Sequence, residues 1–123
     1  MDMKVYLAGP MRGIPNFNFP AFDYATEKLR DRGFVVFSPA ARDRKLHGDK
    51  LEQNPTGSED EAARNIGFSL REALKADCAW ICHNADAVAV LPGWEISRGA
   101  NAEVALAKAL GLTIIILGKE FVK

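Results

Sequence analysis

The fold of this chain is decided by the stretch Asp86-Ala87-Val88-Ala89-Val90-Leu91, which runs through Pro92 and Gly93 into Trp94-Glu95-Ile96-Ser97-Arg98-Gly99-Ala100-Asn101-Ala102-Glu103. The apolar run does not alternate with polar residues, so it predicts a strand with both faces covered. Pro-Gly predicts a turn, and the Ala-rich segment that follows predicts a helix with Ser97 as its N-cap. A buried strand followed by a helix is the repeating unit of α/β proteins.

The same strand–helix unit recurs on both sides of this stretch. The predicted strands are residues 4–8, 34–37, 86–91 and 113–117, and the predicted helices are about 20–32, 59–83 and 98–110. In the first helix Phe22, Ala25 and Leu29 are expected to face inward. Right-handed crossovers between parallel strands then predict a flavodoxin-like three-layer α/β sandwich with a mostly parallel sheet. Its expected strand order is 2-1-3-4, with helices on both faces.

One segment does not fit this alternation. Residues 40–57 are polar, charged and interrupted by Gly and Pro, and they are long for a connection that usually takes ~2–6 residues. We therefore expect a single domain over residues 1–123, with 40–57 as a charged loop insertion without regular structure. Ser58 and Glu61 have the spacing of a capping box, which predicts that the second helix starts near Glu59.

Size and charge exclude several classes of protein. A chain of 123 residues is one domain by length, and its 16 basic and 16 acidic residues cancel. We expect no binding of nucleic acid, because no global positive field is present. No apolar run approaches the ~20 residues that span a bilayer, and Met1-Asp2-Met3-Lys4 does not resemble a signal peptide. These features predict a cytoplasmic protein without a membrane partner.

The two cysteines give little sign of a metal centre. Cys78 and Cys82 share a helical face and His83 follows, but four-ligand zinc spacing is absent. Cysteines four apart on a helix also have poor geometry for a disulfide. We expect two thiols in a reducing compartment and no bound metal.

Two loops carry the features of an anion site. They follow strands one and three, where the strand order reverses and where ligands bind in such sheets. Helix N-termini and guanidinium groups both favour anions. The sequence therefore predicts a pocket for a phosphorylated small molecule, and its expected binding residues are Gly9, Arg12, Ser97, Arg98 and Gly99.

Two aromatic residues lie in or beside the same loops. Tyr6 lies within the first predicted strand and Trp94 follows the third. They either frame a nucleobase by stacking or fill the core in the ordinary way.

Asp77 is the first candidate for acid chemistry. It falls on the stripe of apolar residues that the second helix would bury, which are Ile66, Leu70, Leu74 and Ile81. A buried carboxyl group has a raised pKa, and this suits a proton donor. The alternative is a helix that is rotated so that Asp77 reaches solvent.

Glu103 is the second candidate, and its pattern is ambiguous. The core face of its helix is complete without it, since Ala100, Val104 and Ala107 form a stripe. Glu103 then either lies on an outer face or enters the pocket. Asp86 and Glu95 are rival acids.

The motifs together resemble the nucleoside 2-deoxyribosyltransferase superfamily. They are Tyr6–Gly13 (YLAGPMRG), an acid in the second helix, and Leu91–Glu103 (LPGWEISRGANAE). The chain is most similar to a small branch of phage and bacterial proteins with LAGPMxG and LPGWExSxGAxxE signatures. The resemblance covers nearly the whole chain in the same motif order.

The resemblance implies roles for individual residues. Glu103 corresponds to the catalytic glutamate, Asp77 lies near the aspartate that assists the leaving base, and Tyr6 corresponds to the tyrosine that orients the glutamate. The phosphate side of the nucleotide hydrolases in this superfamily corresponds to Arg12, Ser97 and Arg98. A homo-oligomer whose partner chains help to close the site is also implied.

The predicted function is cleavage of the N-glycosidic bond of a (deoxy)nucleoside 5′-monophosphate. A carboxylate would attack or stabilise the anomeric carbon while an acid protonates the base. This chemistry needs no metal or organic cofactor. Two alternatives stay open, which are transfer of a deoxyribosyl group between bases and a nucleotide-binding or sensing module without turnover.

Overall fold

The four predicted strands form one parallel sheet in the order β2-β1-β3-β4. The computed structural model describes residues 2–48, 56–58 and 69–122. The strands are β1 (Lys4–Ala8), β2 (Val35–Phe37), β3 (Ala87–Val90) and β4 (Thr113–Ile116). Val5 lies opposite Val36 on one side and Ala87 on the other. The fold class and strand order predicted from the sequence are confirmed.

Four helices connect and cover these strands in the described residues. They are α1 (Phe19–Asp31), α2 (Pro39–His47), α3 (Leu70–Asn84) and α4 (Arg98–Ala109). Ser97 caps α4, because its side chain accepts a hydrogen bond from the amide of Ala100 at 3.2 Å. None of these helices has the length and apolar character that crossing a membrane would require.

The alternation of side chains along β1 separates two hydrophobic clusters. Val5 and Leu7 point to the face covered by α1, where Phe22 and Leu29 are buried as predicted. The opposite face is covered by α3 and α4, and its cluster contains Tyr6, Ala8, Ile81, Ala100, Val104 and Ala107. All four residues of β3 are buried, as the uninterrupted apolar run predicted. The sheet is therefore the middle layer of a three-layer sandwich.

The prediction of a structureless loop over residues 40–57 was wrong for its first half. Pro39–His47 forms α2, which starts at Ser38 and has a proline in its first turn. The Ser38 side chain accepts from the amide of Ala41, and Pro39 lacks the amide hydrogen that a first turn leaves unpaired. These capping signals decide the local structure although the segment is polar. The prediction for residues 49–55 lies outside the described residues.

The second predicted helix is not continuous over 59–83. Ser69 has an extended backbone (φ −128°, ψ 117°), and its side chain caps α3 by accepting from the amide of Glu72. The predicted capping box pairs Ser58 with Glu61, and the predicted buried stripe includes Ile66. Glu61 and Ile66 fall within residues 59–68, which lie outside the described residues. Leu70 was predicted on the buried stripe but is 41% exposed, because it stands at the start of α3 beside an open cleft.

The loop after β1 approaches the loop after β3 very closely. A Cβ atom on Gly9 would lie 2.8 Å from the Cβ atom of Leu91, which is buried. Only glycine allows this approach without displacing Leu91. The two loops that the sequence singled out are therefore held against each other at the carboxyl edge of the sheet.

Candidate active site

A cleft of about 450 Å³ opens at the carboxyl edge of the sheet. Its walls come from the loops that follow β1 and β3, from the start of α2 after β2, and from one side of α3. This is the place where a parallel sheet of this strand order was predicted to hold a ligand. Most of the predicted site residues line it, and they are Tyr6, Gly9, Arg12, Asp77, Ser97, Arg98, Gly99 and Glu103.

The floor of the cleft contains a buried hydrogen bond between β1 and α4. The hydroxyl of Tyr6 donates to Oε2 of Glu103 at 2.6 Å. Glu103 is only 5% exposed, so the alternative that placed it on an outer face was wrong. The ring of Tyr6 stacks on Phe37, with centroids 5.6 Å apart, and this contact fixes the direction of its hydroxyl.

Asp77 is buried beside this pair, as the helical stripe predicted. Asp77 lies on α3, is 6% exposed, and interacts with Tyr6 and Glu103. Two carboxyl groups and one phenol from three different elements therefore meet at one point. Such a cluster is costly to bury unless it holds protons or a counter-ion.

Burial changes the protonation of all three groups. Burial raises the pKa of Glu103 to about 8, and the hydrogen bond from Tyr6 opposes this shift in part. Burial also raises the pKa of Asp77 to about 6, and the positive charge of Arg42 opposes it. Of the two carboxyl groups, Glu103 therefore has the larger rise in pKa and is the weaker acid. The pKa of Tyr6 is raised well above its ordinary value by burial, so its hydroxyl remains a donor.

Two residues of the site were missed in the sequence. Arg42 and Asp43 lie on α2, inside the segment that was predicted to be a loop, and both line the cleft. Arg42 forms ion pairs with Asp43 at 2.8 Å and with Asp77 at 3.2 Å. The one sequence signal for them was the Ser38-Pro39 start of a helix directly after β2, which brings both side chains to the same edge.

The rim of the cleft carries the predicted anion-binding residues. Ser97 caps α4, and Arg98 and Gly99 form its first turn. Arg98 is exposed, and Arg12 reaches the cleft from the loop after β1. Two guanidinium groups and a helix N-terminus thus surround one side of the opening, which is an arrangement suited to an anion.

The remaining candidates lie elsewhere. Trp94 is half-buried and packs against the hydrophobic cluster on the α3–α4 face, and it does not line the cleft with Tyr6. Asp86 is exposed at the opposite edge of the sheet, where it accepts from the backbone amide of Lys4 at 2.8 Å. Glu95 is exposed and is not part of the cleft wall. Neither rival acid is positioned to act with Asp77.

The part of the chain that the structure describes was also predicted to hold no metal. No group of three or more His, Cys, Asp or Glu side chains is arranged there to hold an ion. Cys78 and Cys82 are free thiols.

Fold and site together define an α/β protein with a parallel sheet and a carboxyl-lined cleft at the switch point of the strand order. Residues 3–116 match the family described as a domain of unknown function (DUF4406), and the chain belongs to this family. Neither the curated proteins nor the solved structures contain a match to the chain.

Proposed function

We propose that this protein cleaves the N-glycosidic bond of a (deoxy)nucleoside 5′-monophosphate, in the manner of the nucleoside 2-deoxyribosyltransferase superfamily. The observation that carries the proposal is the hydrogen bond of 2.6 Å between Tyr6 and Glu103 at the floor of the cleft. It fixes one carboxyl group in a water-poor site while leaving it open to the cleft. A fixed carboxylate is what the positive charge of a breaking glycosidic bond needs.

The chemistry begins with a proton shift within the carboxyl pair. The proton that Glu103 holds at pH 7 passes to the neighbouring carboxyl group of Asp77, with which it interacts. The Glu103 carboxylate then attacks the anomeric carbon, the carbon–nitrogen bond breaks, and the base leaves with the electron pair and takes the proton from Asp77. Tyr6 stabilises the carboxylate throughout by its donated hydrogen bond.

Water completes the reaction in the second step. The Asp77 carboxylate accepts a proton from water, whose oxygen attacks the anomeric carbon of the glycosyl ester and releases Glu103 as a carboxylate. The products are a free base and a sugar 5-phosphate, so atoms and charges balance. This exchange of acid and base roles follows the double-displacement pattern of retaining glycosidases.

The distribution of charge in the cleft favours a phosphorylated substrate. Among the described residues, the floor holds three carboxyl groups and the guanidinium of Arg42, whereas the rim presents Arg12, Arg98 and the start of α4. A 5′-monophosphate bound with its phosphate at the rim places its sugar toward the floor. The volume of about 450 Å³ is in the range of small-ligand sites.

The test is incubation of the purified protein with a panel of nucleosides and their 5′-monophosphates, with free base measured by chromatography. We expect base to be released from monophosphates and not from the unphosphorylated nucleosides. An added second base distinguishes hydrolysis from exchange, since exchange would produce a new nucleotide. If a nucleotide raises the melting temperature and stays intact after long incubation, the proposed cleavage is wrong and the protein is a nucleotide-binding module without turnover.

Arg98 provides a sharper prediction for the phosphate. Arg98→Gln is expected to raise KM for a monophosphate roughly tenfold or more, since a charged hydrogen bond to phosphate is worth about 1.5–3 kcal/mol. The chemical step should change little, because Arg98 lies at the rim, more than one helical turn from Glu103, and is proposed to hold only the phosphate. The measurement is steady-state kinetics of base release.

The matched control is Lys108→Gln, which removes one positive charge from the exposed last turn of the same helix. It should leave KM unchanged. Equal KM increases in the two variants would show that the net charge of the protein, and not a phosphate site at the rim, attracts the substrate.

A further inference from the structure

The guanidinium group of Arg42 is held in place by contacts with several neighbouring groups. Its Nε donates to Oδ1 of Asp43 at 2.8 Å, and its Nη1 donates to the backbone carbonyl of Ala73 at 3.2 Å. These contacts tie α2 to α3, and Nη2 lies between two carboxyl groups, at 2.8 Å from Oδ1 of Asp43 and 3.2 Å from Oδ1 of Asp77. The Arg42 side chain is 14% exposed and the Asp77 side chain is 8% exposed.

The contact between Arg42 and Asp77 is electrostatic. Among the described residues, neither Nη2 of Arg42 nor Oδ1 of Asp77 has an aligned hydrogen-bond partner. The ion pair therefore acts through charge at short range, and it acts in a site where water does not screen it well. A guanidinium so placed favours the ionised form of the carboxyl group that it faces.

The other groups that face Asp77 do not supply a second positive charge. Tyr6 from β1 and Glu103 from α4 are polar groups that interact with it, Asp43 from α2 repels it, and Cys78 follows it on α3. His47 acts on Asp43 from the end of α2. Among the described groups acting on the carboxyl pair, Arg42 is thus the one cation.

We propose that Arg42, held in place by Asp43, is a positioning residue that keeps the negative charge on Asp77 and so leaves the proton of the pair on Glu103. The consequences for catalysis rest on the proposed function, but the arrangement of charge does not. In this resting state the Tyr6 hydrogen bond to Glu103, the interaction of Glu103 with Asp77, and the ion pairs of Arg42 with Asp77 and Asp43 link the five side chains.

This arrangement gives the site a defined starting state. Without Arg42, burial would penalise a charge on Asp77 as it does on Glu103, and a proton would be retained on either group. With Arg42, the proton lies beside Tyr6 in the free protein and moves to Asp77 only when Glu103 faces a developing positive charge. Arg42 thereby acts through Asp77 and does not itself need to touch the substrate.

The test is a titration of the two carboxyl groups by carbon-13 NMR of the full chain without substrate, with resonances assigned from Asp77→Asn and Glu103→Gln. We expect Asp77 to ionise near pH 6 and Glu103 near pH 8. In Arg42→Gln the midpoint of Asp77 should rise by about one pH unit or more, since a nearby opposite charge shifts a carboxyl group by 1–3 units.

Two further variants keep the test decisive. Arg42→Lys retains the charge, but its ammonium group cannot contact Asp43, the Ala73 carbonyl and Asp77 at the same time. The midpoint of the Asp77 titration in this variant should therefore lie between those of the wild type and Arg42→Gln. Arg42→Lys also gives an answer if Arg42→Gln fails to fold. Arg44→Gln is the control, because Arg44 lies on the same helix and pairs with the exposed Asp23. It should leave the titration unchanged.

The outcomes separate this inference from the proposed function. An unchanged Asp77 midpoint in Arg42→Gln and Arg42→Lys overturns the inference even if base is released from monophosphates. A raised midpoint with no base released from any nucleotide supports the inference and counts against the function. If both hold, the acidic limb of the pH–rate profile should move upward in Arg42→Gln by the same amount as the midpoint, with partial return in Arg42→Lys.

Discussion

Glu103→Gln is expected to lower the rate of base release from a nucleoside 5′-monophosphate by on the order of 10³-fold or more. Glutamine has nearly the same shape as glutamate and can accept the hydrogen bond from Tyr6, so the floor of the cleft should keep its packing. It has no negative charge, however, and cannot form a glycosyl ester by attack on the anomeric carbon. The measurement is single-turnover release of base with protein in excess over substrate.

The matched control is Glu95→Gln. Glu95 is an exposed carboxylate that precedes the same helix but does not line the cleft. It should release base at the wild-type rate. If Glu103→Gln also kept the wild-type rate, the carboxylate mechanism would have to be abandoned whatever the substrate panel had shown.

The stability of the folded protein is expected to fall as pH rises from about 5 to about 8.5. Burial raises the pKa of Asp77 from 3.8 to about 6 and that of Glu103 from 4.5 to about 8. The folded state therefore holds protons that the unfolded chain has already released in this range. Linkage then requires the free energy of unfolding to decrease with pH, in contrast to a protein whose carboxylates are stabilised by folding.

The size of this effect follows from the shift of Glu103. At about 1.36 kcal/mol per pKa unit, the loss between pH 5 and pH 8.5 is roughly 4 kcal/mol, and Asp77 adds to it below pH 6. Urea unfolding at the two pH values measures the difference. The glutamine amide of Glu103→Gln does not ionise. Most of the pH dependence of the free energy of unfolding should therefore be lost in this variant, which should be more stable than the wild type at pH 8.5.

Glu95→Gln is again the appropriate comparison, since its carboxylate is exposed and its substitution should leave the slope with pH intact. A wild-type protein whose free energy of unfolding is constant from pH 5 to 8.5 would contradict the protonated state of Glu103. Greater stability with lost activity in one variant would indicate that the buried acid is kept for chemistry at a cost to the fold.

The strands and their order could be predicted because the information is local and strong. The runs that became β1, β3 and β4 are apolar and bounded by turn residues, and crossovers of one hand then leave few topologies. Helix α2 could not be found in the same way, because its residues are mostly polar. Its signal was confined to the Ser38-Pro39 cap, and that cap was outweighed by the composition of the segment.

The site was predictable only in part, and for different reasons at each residue. Asp77 was identified because a carboxylate on an apolar stripe is unusual. Glu103 could not be placed by periodicity, since the apolar stripe of α4 was complete without it. The burial of Glu103 depends on the hydroxyl of Tyr6, which comes from a strand distant in the sequence. Arg42 matters through its contact with Asp77 on another helix, which no local pattern contains.

Tyr6 and Trp94 were considered as a pair that could frame a nucleobase, because both lie near the predicted loops in the sequence. Closeness in the sequence did not predict where the two rings pack. Trp94 is close to Ser97 along the chain, but the turn at Gly93 directs it toward the hydrophobic cluster on the α3–α4 face. Tyr6 is enclosed by Phe37 and Trp80. The homo-oligomer that the family resemblance implies stays a prediction.

The hydrogen bond between Tyr6 and Glu103 joins residues that are 97 positions apart in the chain. A contact of this separation closes a long loop of the chain, which costs conformational entropy, and it cannot be made by any short fragment. The candidate site is thus complete only when β1 and α4 are docked in the native topology. Any change that separates β1 from α4 removes this hydrogen bond.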